Sequence, residues 1–102
     1  MDPFKTYQPK PKSFAPGKLT VEDAEAVAMT AVAFIVGDET LMPRFFALTG
    51  CGPDDLRTRI GEGAFLGAVL DFILGDEPSL LDFAATAGLP PEVMMLAREK
   101  LP

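Results

Sequence analysis

Phe34-Ile35-Val36-Gly37-Asp38-Glu39 decides the fold, because this stretch recurs at residues 72–77 with one change, Leu74 in the place of Val36. The offset is 38 residues, and nine of the 23 positions in 34–56 are identical to those in 72–94 without a gap. The later identities are Phe45 with Phe83, Ala47 with Ala85, Gly50 with Gly88 and Pro53 with Pro91. Apolar anchors, Gly and Pro define helical cores and helix ends. We therefore predict two copies of one helical unit.

The composition indicates one small domain. The chain has 102 residues, of which 48% are hydrophobic. The longest nearly uncharged stretch, Ala26 to Gly37, is shorter than the roughly 18 apolar residues of a membrane span. There is no apolar leader, and a lone Cys51 forms no internal disulfide. We expect a cytoplasmic protein that has no membrane partner.

Helix signals begin at Thr20, where Thr20-Val21-Glu22-Asp23 resembles a capping box. The first helix should run to about Val36, and its apolar residues cover almost the whole circumference, which predicts the buried centre of the domain. Gly37 ends it. A second helix, capped by a residue among 38–40, carries a predicted apolar stripe of Leu41, Phe45 and Leu48 before Gly50.

The remaining helices follow the same order of signals. We predict a short helix from Pro53 that ends near residues 61–63, then helices over about 64–74, 78–87 and 91–100. No segment alternates with period two for long enough to form a strand. The prediction is an all-α six-helix bundle built from two three-helix pseudo-repeats, at about residues 20–60 and 64–101 within a domain of residues 20–102.

Residues 1–19 form a predicted tail of opposite charge. Up to residue 18 there are four lysines against one aspartate, a net charge of +3, whereas the rest of the chain has five basic and fourteen acidic residues, a net charge of −9. Four prolines favour an extended, Pro-rich tail. It is either a flexible solubilising leader or a docking arm for a partner or for the acidic domain itself. Its candidate contact residues are Phe4, Lys5, Tyr7, Lys10, Lys12 and Phe14.

The inventory of reactive groups does not favour an enzyme. The chain has no histidine, so the usual general base and the commonest transition-metal ligand are missing. Cys51 precedes a helix start and could be a reactive thiol, but its repeat partner is Leu89, which favours a small apolar core residue. The acidic pairs at 38–39 and 76–77 are predicted helix caps instead of metal ligands. We predict no catalytic residue, no metal site and no cofactor.

Two other features bear on partners. Each predicted repeat contains a helix, a Gly turn and a second helix, which resembles a helix-turn-helix unit, but the second helices begin with acidic residues that would repel phosphate. Val93-Met94-Met95-Leu96-Ala97 is a run of five apolar residues that a helix cannot turn toward one core. The surplus either covers a neighbouring helix or forms a contact surface through Met94 or Met95.

The string Ala64-Phe65-Leu66-Gly67-Ala68-Val69-Leu70-Asp71 with its continuation to Glu77, and the segments 45–50, 53–57 and 88–92, resemble a proteobacterial family of short helical proteins known only as a domain of unknown function. The resemblance covers nearly everything after Thr20 and implies a cytoplasmic, single-domain, all-α bacterial protein. It implies no activity, ligand or catalytic residue, and the tail lies outside it.

These observations predict a non-enzymatic helical protein-interaction module, in which the acidic domain and the basic tail contact a protein partner or a second copy. The alternative is a small DNA-associated regulator that uses one of the helix-turn-helix-like units. The negative charge of the domain argues against nucleic acid as a partner.

Overall fold

The computed structural model describes residues 19–102, and within them every regular element is an α-helix. The helices are, in chain order, α1 Val21–Val36, α2 Leu41–Thr49, α3 Pro53–Arg59, α4 Gly63–Leu74, α5 Glu77–Ala87 and α6 Pro91–Glu99. The predicted all-α fold with six helices is confirmed. Residues 1–18 of the predicted basic tail lie outside the described residues, whereas Leu19, its last residue, is buried in the core.

Helix α1 begins at the predicted capping box. The Asp23 amide donates to Thr20 Oγ1 and the Thr20 amide donates to Asp23 Oδ2, each over 3.0 Å. These two bonds satisfy amides that have no partner within the helix. Just before them, Leu19 is buried in the core, so the domain's packing begins one residue ahead of the cap.

Helices α2 and α5 end in the same way. Gly50 and Gly88 both have a φ of 72°, in the left-handed region. Each cap amide donates back to a carbonyl four residues earlier, that of Phe46 or Ala84. A residue without a Cβ adopts this conformation at little steric cost, which explains why both helices stop at a glycine.

The core forms where α1 packs against α4 and α6, with α2 and α5 closing its sides. The bulkiest fully buried side chains come from every helix except α3. They are Phe45, Phe83, Ile35, Leu70, Ile73, Met94 and Val69. The core is therefore shared by the first and the second half of the helical region.

Aromatic rings link the same two halves. Phe45 of α2 meets Phe72 of α4 with ring centroids 5.2 Å apart and also contacts Phe65 at 5.8 Å, both edge to face. Phe34 of α1 meets Phe83 of α5 at 5.2 Å. Edge-to-face geometry is the favoured arrangement of aromatic pairs, so these contacts add to the stability from burial alone.

Two predictions about helix faces were wrong. Leu48, which was expected in the apolar stripe of α2, is 72% exposed. Helix α1 is central but is not buried all round, because Met29 and Val36 are exposed on the side away from its buried residues and Val21 is exposed at its first position. A helix in a six-helix domain is covered only where a neighbour lies, and α1 has neighbours on one side.

No single helix within residues 19–102 is both long and apolar enough to cross a membrane.

Candidate functional site

The first turns of α2 and α5 face each other across an open pocket of about 260 Å³. Its walls are mostly polar, with three carboxylates and one guanidinium. They are formed by Asp38, Thr40, Leu41, Arg44, Asp76, Pro78, Ser79 and Asp82. Two helix N-termini beside a concave surface bring several backbone amides into one region, which makes this pocket a candidate functional site.

On the α2 side, Asp38 is engaged in capping the helix. Its Oδ1 accepts from the amide of Thr40 at 2.8 Å and from the amide of Leu41 at 2.9 Å. The Asp38 carbonyl also accepts from the Met42 amide at 3.0 Å. The predicted capping role of this acidic pair is confirmed for Asp38, and its carboxylate satisfies amides that an anion would otherwise bind.

On the α5 side, Asp76 caps through Ser79. The Ser79 amide donates to Asp76 Oδ2 at 3.2 Å, and the Ser79 hydroxyl donates to the same oxygen at 2.5 Å. The hydroxyl bond is the main reason why the pKa of Asp76 lies below its ordinary value, and the amide bond and the charge of Arg44 act in the same direction. Ser79 is the buried polar residue of the described core.

This pair is not a nucleophile with its base. A serine nucleophile needs a neighbour that takes its proton near neutral pH, and a carboxylate with a lowered pKa is a poorer base than an ordinary one. The hydroxyl is also turned toward the cap and buried. The Asp76–Ser79 contact therefore stabilises the start of α5.

Arg44 supplies the positive charge of the pocket. Its Cζ lies 6.0 Å from the centroid of the Phe72 ring, at the edge of the cation–π range. The three aspartates outnumber this one guanidinium, so the pocket has an excess of negative charge. Among residues 19–102, no group of three or more acidic or Cys side chains is arranged to hold a metal ion.

Cys51 lies in the core, as its pairing with Leu89 predicts. Only 2% of the residue is exposed, and its thiol donates to the Gly52 carbonyl over 3.4 Å. Burial, and then the nearby charge of Asp55, raise the pKa of the thiol, although Arg59 acts in the opposite direction. A reactive cysteine needs the opposite shift and an accessible sulfur, so the geometry disfavours a thiol nucleophile here.

The apolar run of α6 divides between core and surface. Met94 is fully buried at 0% exposure, together with Val93 and Ala97, whereas Met95 is 59% exposed. The expectation that Met94 contacts a partner was wrong, because successive helical residues differ by about 100° in direction and Met94 lies on the buried side of the helix. Of the predicted contact residues within the described part of the chain, only Met95 is available. Phe4, Lys5, Tyr7, Lys10, Lys12 and Phe14 lie outside it.

Two leucines that the sequence pattern had not marked as surface residues are exposed, Leu48 of α2 and Leu81 of α5. Leu81 follows the partly buried Leu80, and Phe83 and Ala84 complete the buried face of the helix. The same rule that separates Met94 from Met95 would have placed Leu81 outside. For Leu48 the spacing from Phe45 pointed inward, and only the position of the neighbouring helices shows otherwise.

Comparison with known proteins assigns a family to this arrangement. Residues 21–102 match the family described as Protein of unknown function (DUF3572). The chain belongs to this family. No curated protein and no solved structure matches the chain. The expectation of a family of unknown function is thus confirmed.

The DUF3572 match coincides with the helical region. It begins at the first residue of α1 and extends through α6, so it includes the pocket, Cys51 and Met95. The lysines of the predicted tail lie before it. The family match therefore covers the six-helix domain and does not include the basic segment.

Proposed function

We propose that this member of the DUF3572 family is a non-enzymatic protein-interaction module. The observation that carries the proposal is the exposure of Met95 beside the fully buried Met94. A methionine side chain is flexible and polarisable, so it adapts to the surface of a partner, and an exposed one on a rigid helix is suited to a contact. In the pocket, the side chains of Asp38, Asp76 and Ser79 are engaged in helix caps, which makes them poor candidates for catalysis.

The surroundings of Met95 suggest the chemistry of a partner. Exposed residues of α6 include Glu92 and Glu99, one turn before and one turn after Met95. An apolar side chain between carboxylates fits a partner surface with an apolar centre and a basic rim. A second copy of this acidic domain lacks such a rim, so we favour a different protein. We also propose that the protein is cytoplasmic and of proteobacterial origin, as the sequence suggests.

A comparison of single substitutions tests the proposal. Met95→Lys and Leu48→Lys each place a charge at an exposed apolar position, but on different helices. When the purified full-length protein is the bait in affinity capture, we expect the Met95→Lys variant to lose most of the captured partner and the Leu48→Lys variant to retain it. Both variants should keep the thermal midpoint of the wild type. Equal capture by wild type and Met95→Lys would remove α6 as the interaction surface.

One observation favours DNA binding as the second candidate. The axes of α5 and α6 are bent by 101° at their junction, within the range of about 90–120° for a helix-turn-helix. Against it, α6 begins with Pro91 and Glu92, and most of its apolar residues are buried. Retention on immobilised duplex DNA distinguishes the two functions, because a regulator would bind at low salt and elute steeply as salt rises. We expect no retention.

We also propose that the domain is a pseudo-repeat with an approximate two-fold relation between residues 20–60 and 64–101. In such a relation, a residue of one copy contacts a different residue of the other copy, and the reciprocal contact also occurs. Phe34–Phe83 and Phe72–Phe45 have this reciprocity at the 38-residue offset. The pocket residues support it equally, since they form four pairs with that offset: 38 with 76, 40 with 78, 41 with 79 and 44 with 82.

A further inference from the structure

Helix α1 carries an apolar stripe on its outer side, formed by Ala26, Met29, Ala33 and Val36. All four residues are exposed, with Met29 at 40% and Val36 at 37%. Their spacing of three, four and three residues places them in one row along the helix. The buried residues of α1 face α4 and α6 instead, so no element within residues 19–102 covers this row.

Acidic residues stand at both ends of the stripe. Glu22 and Glu25 lie in the first turns of α1, Glu39 follows its end, and all three are exposed. Neither ion pair found within residues 19–102 involves them. From Leu19 to Pro43 the chain has five acidic residues and no lysine or arginine. The outer face of α1 is therefore apolar in the middle and negative at its ends.

We propose that residues 1–18 of the same chain fold back along this stripe and cover it. The segment has the complementary chemistry, because it contains four lysines interspersed with the aromatic residues Phe4, Tyr7 and Phe14. Pro16-Gly17 lies just before the buried Leu19, and this dipeptide favours the chain reversal that such docking needs. The occupant is thus already attached at the correct end of α1.

The lengths also agree. Helix α1 has 16 residues and is about 24 Å long at 1.5 Å per residue. An extended polyproline-like chain rises about 3.1 Å per residue, so the 18 residues before Leu19 are long enough to reach past the far end of α1. The lysines are spread along the segment, so positive charges can meet the carboxylates at both ends of the stripe.

A second copy is a poorer occupant of this stripe. Four residues of one helix supply much less than the roughly 800 Å² per partner of a stable interface. Two α1 helices would also bring their carboxylates together with no basic residue between them. Attachment to the same chain gives the basic segment a high effective concentration at α1, which a separate protein lacks.

Tyrosine fluorescence anisotropy tests this proposal directly. Tyr7 is the sole tyrosine and the chain has no tryptophan, so the tyrosine emission of the full-length protein reports on the segment alone. We expect a high anisotropy in the wild type. It should fall toward the value of a synthetic peptide of residues 1–18 in Met29→Glu, and on addition of 1 M NaCl. Leu48→Glu, a matched change on α2, should leave it unchanged.

The double variant Lys10→Glu, Lys12→Glu provides a test that leaves every residue of the helical domain intact. It should lower the Tyr7 anisotropy as Met29→Glu does. A wild-type anisotropy equal to that of the free peptide would overturn the proposal. An anisotropy that is unchanged in both Met29→Glu and the lysine variant would also overturn it. An anisotropy that rises with protein concentration, together with a sedimenting dimer, would mean that the segment docks on a second copy instead.

Discussion

Phe34 packs edge-on against Phe83, with ring centroids 5.2 Å apart and an interplanar angle of 66°. Forty-nine positions separate the two residues, which lie on α1 and α5. Phe45 and Phe72 form the reciprocal contact at 5.2 Å and 75°. The first three helices therefore depend on the last three for their aromatic packing, and a three-helix half would expose a ring from each pair. Folding should be cooperative over the whole domain.

Truncation of the two central phenylalanines should show this dependence. Phe45 and Phe83 are each 1% exposed, so Phe45→Ala or Phe83→Ala leaves a cavity that the surrounding side chains refill only in part. We expect each change to lower the free energy of unfolding by about 3–5 kcal/mol, a large share of the stability of a small domain. Urea denaturation followed by circular dichroism measures this.

Leu48→Ala is the matched control for these variants, since it removes a similar volume from an exposed site on the same helix as Phe45. Its effect should stay within about 0.5 kcal/mol. If Leu48→Ala and Phe45→Ala had similar effects, the assignment of α2's buried face would be incorrect.

Helix ends could be predicted from single residues because their causes are local. Thr20 and Asp23 bond to each other's amides, and Gly50 and Gly88 supply the left-handed conformation that ends a helix. These interactions need no knowledge of the tertiary fold. The same holds for the capping role of Asp38.

Helix faces could be predicted only in part, because burial depends on where the neighbours lie. Phe45 and Leu48 are three residues apart and fit one apolar stripe, yet only Phe45 is covered. Met94 and Met95 are the same type of residue and differ only in the direction in which the helix points their side chains. The pocket combines residues of two helices that are distant in sequence, so its existence did not follow from the sequence pattern, although the capping role of Asp76 did.

Glycine at position 88 should be replaceable only at a cost. A Cβ there would meet nothing within 4 Å, so the penalty of Gly88→Ala comes from its φ of +72° alone. An alanine in the left-handed region costs about 1–2 kcal/mol. Gly61→Ala is the control, since Gly61 has no positive φ and its added Cβ would make an ordinary contact with the Thr58 carbonyl at 3.6 Å. Thermal unfolding should separate the two variants, and equal stabilities would contradict a left-handed cap at Gly88.

The Cys51 thiol should be protected in the native protein. Its sulfur is buried and its pKa is raised, so both access and thiolate formation are reduced. Reaction with a thiol-specific disulfide reagent at pH 8 should be slow in buffer and should approach the rate of a free cysteine in denaturing urea. Rapid stoichiometric labelling of the folded protein, with unchanged circular dichroism, would show that Cys51 is accessible.

The Asp76 cap should make stability depend on acid in a defined direction. Because the pKa of Asp76 is lower in the folded chain than its ordinary value of 3.8, the unfolded chain binds the proton more tightly. The contribution of this carboxylate is therefore complete above about pH 4 and is lost as the pH falls through the lower, folded pKa. Asp76→Asn keeps a capping acceptor but does not titrate. Between pH 5 and pH 2.5, its urea midpoint should fall less than that of the wild type.

Ser79→Ala removes the hydroxyl that is the main cause of the shift, so a carboxyl titration by NMR should show the pKa of Asp76 moving back up. Parallel midpoints for wild type and Asp76→Asn, with no movement in Ser79→Ala, would mean that the Asp76–Ser79 bond does not stabilise α5 in solution.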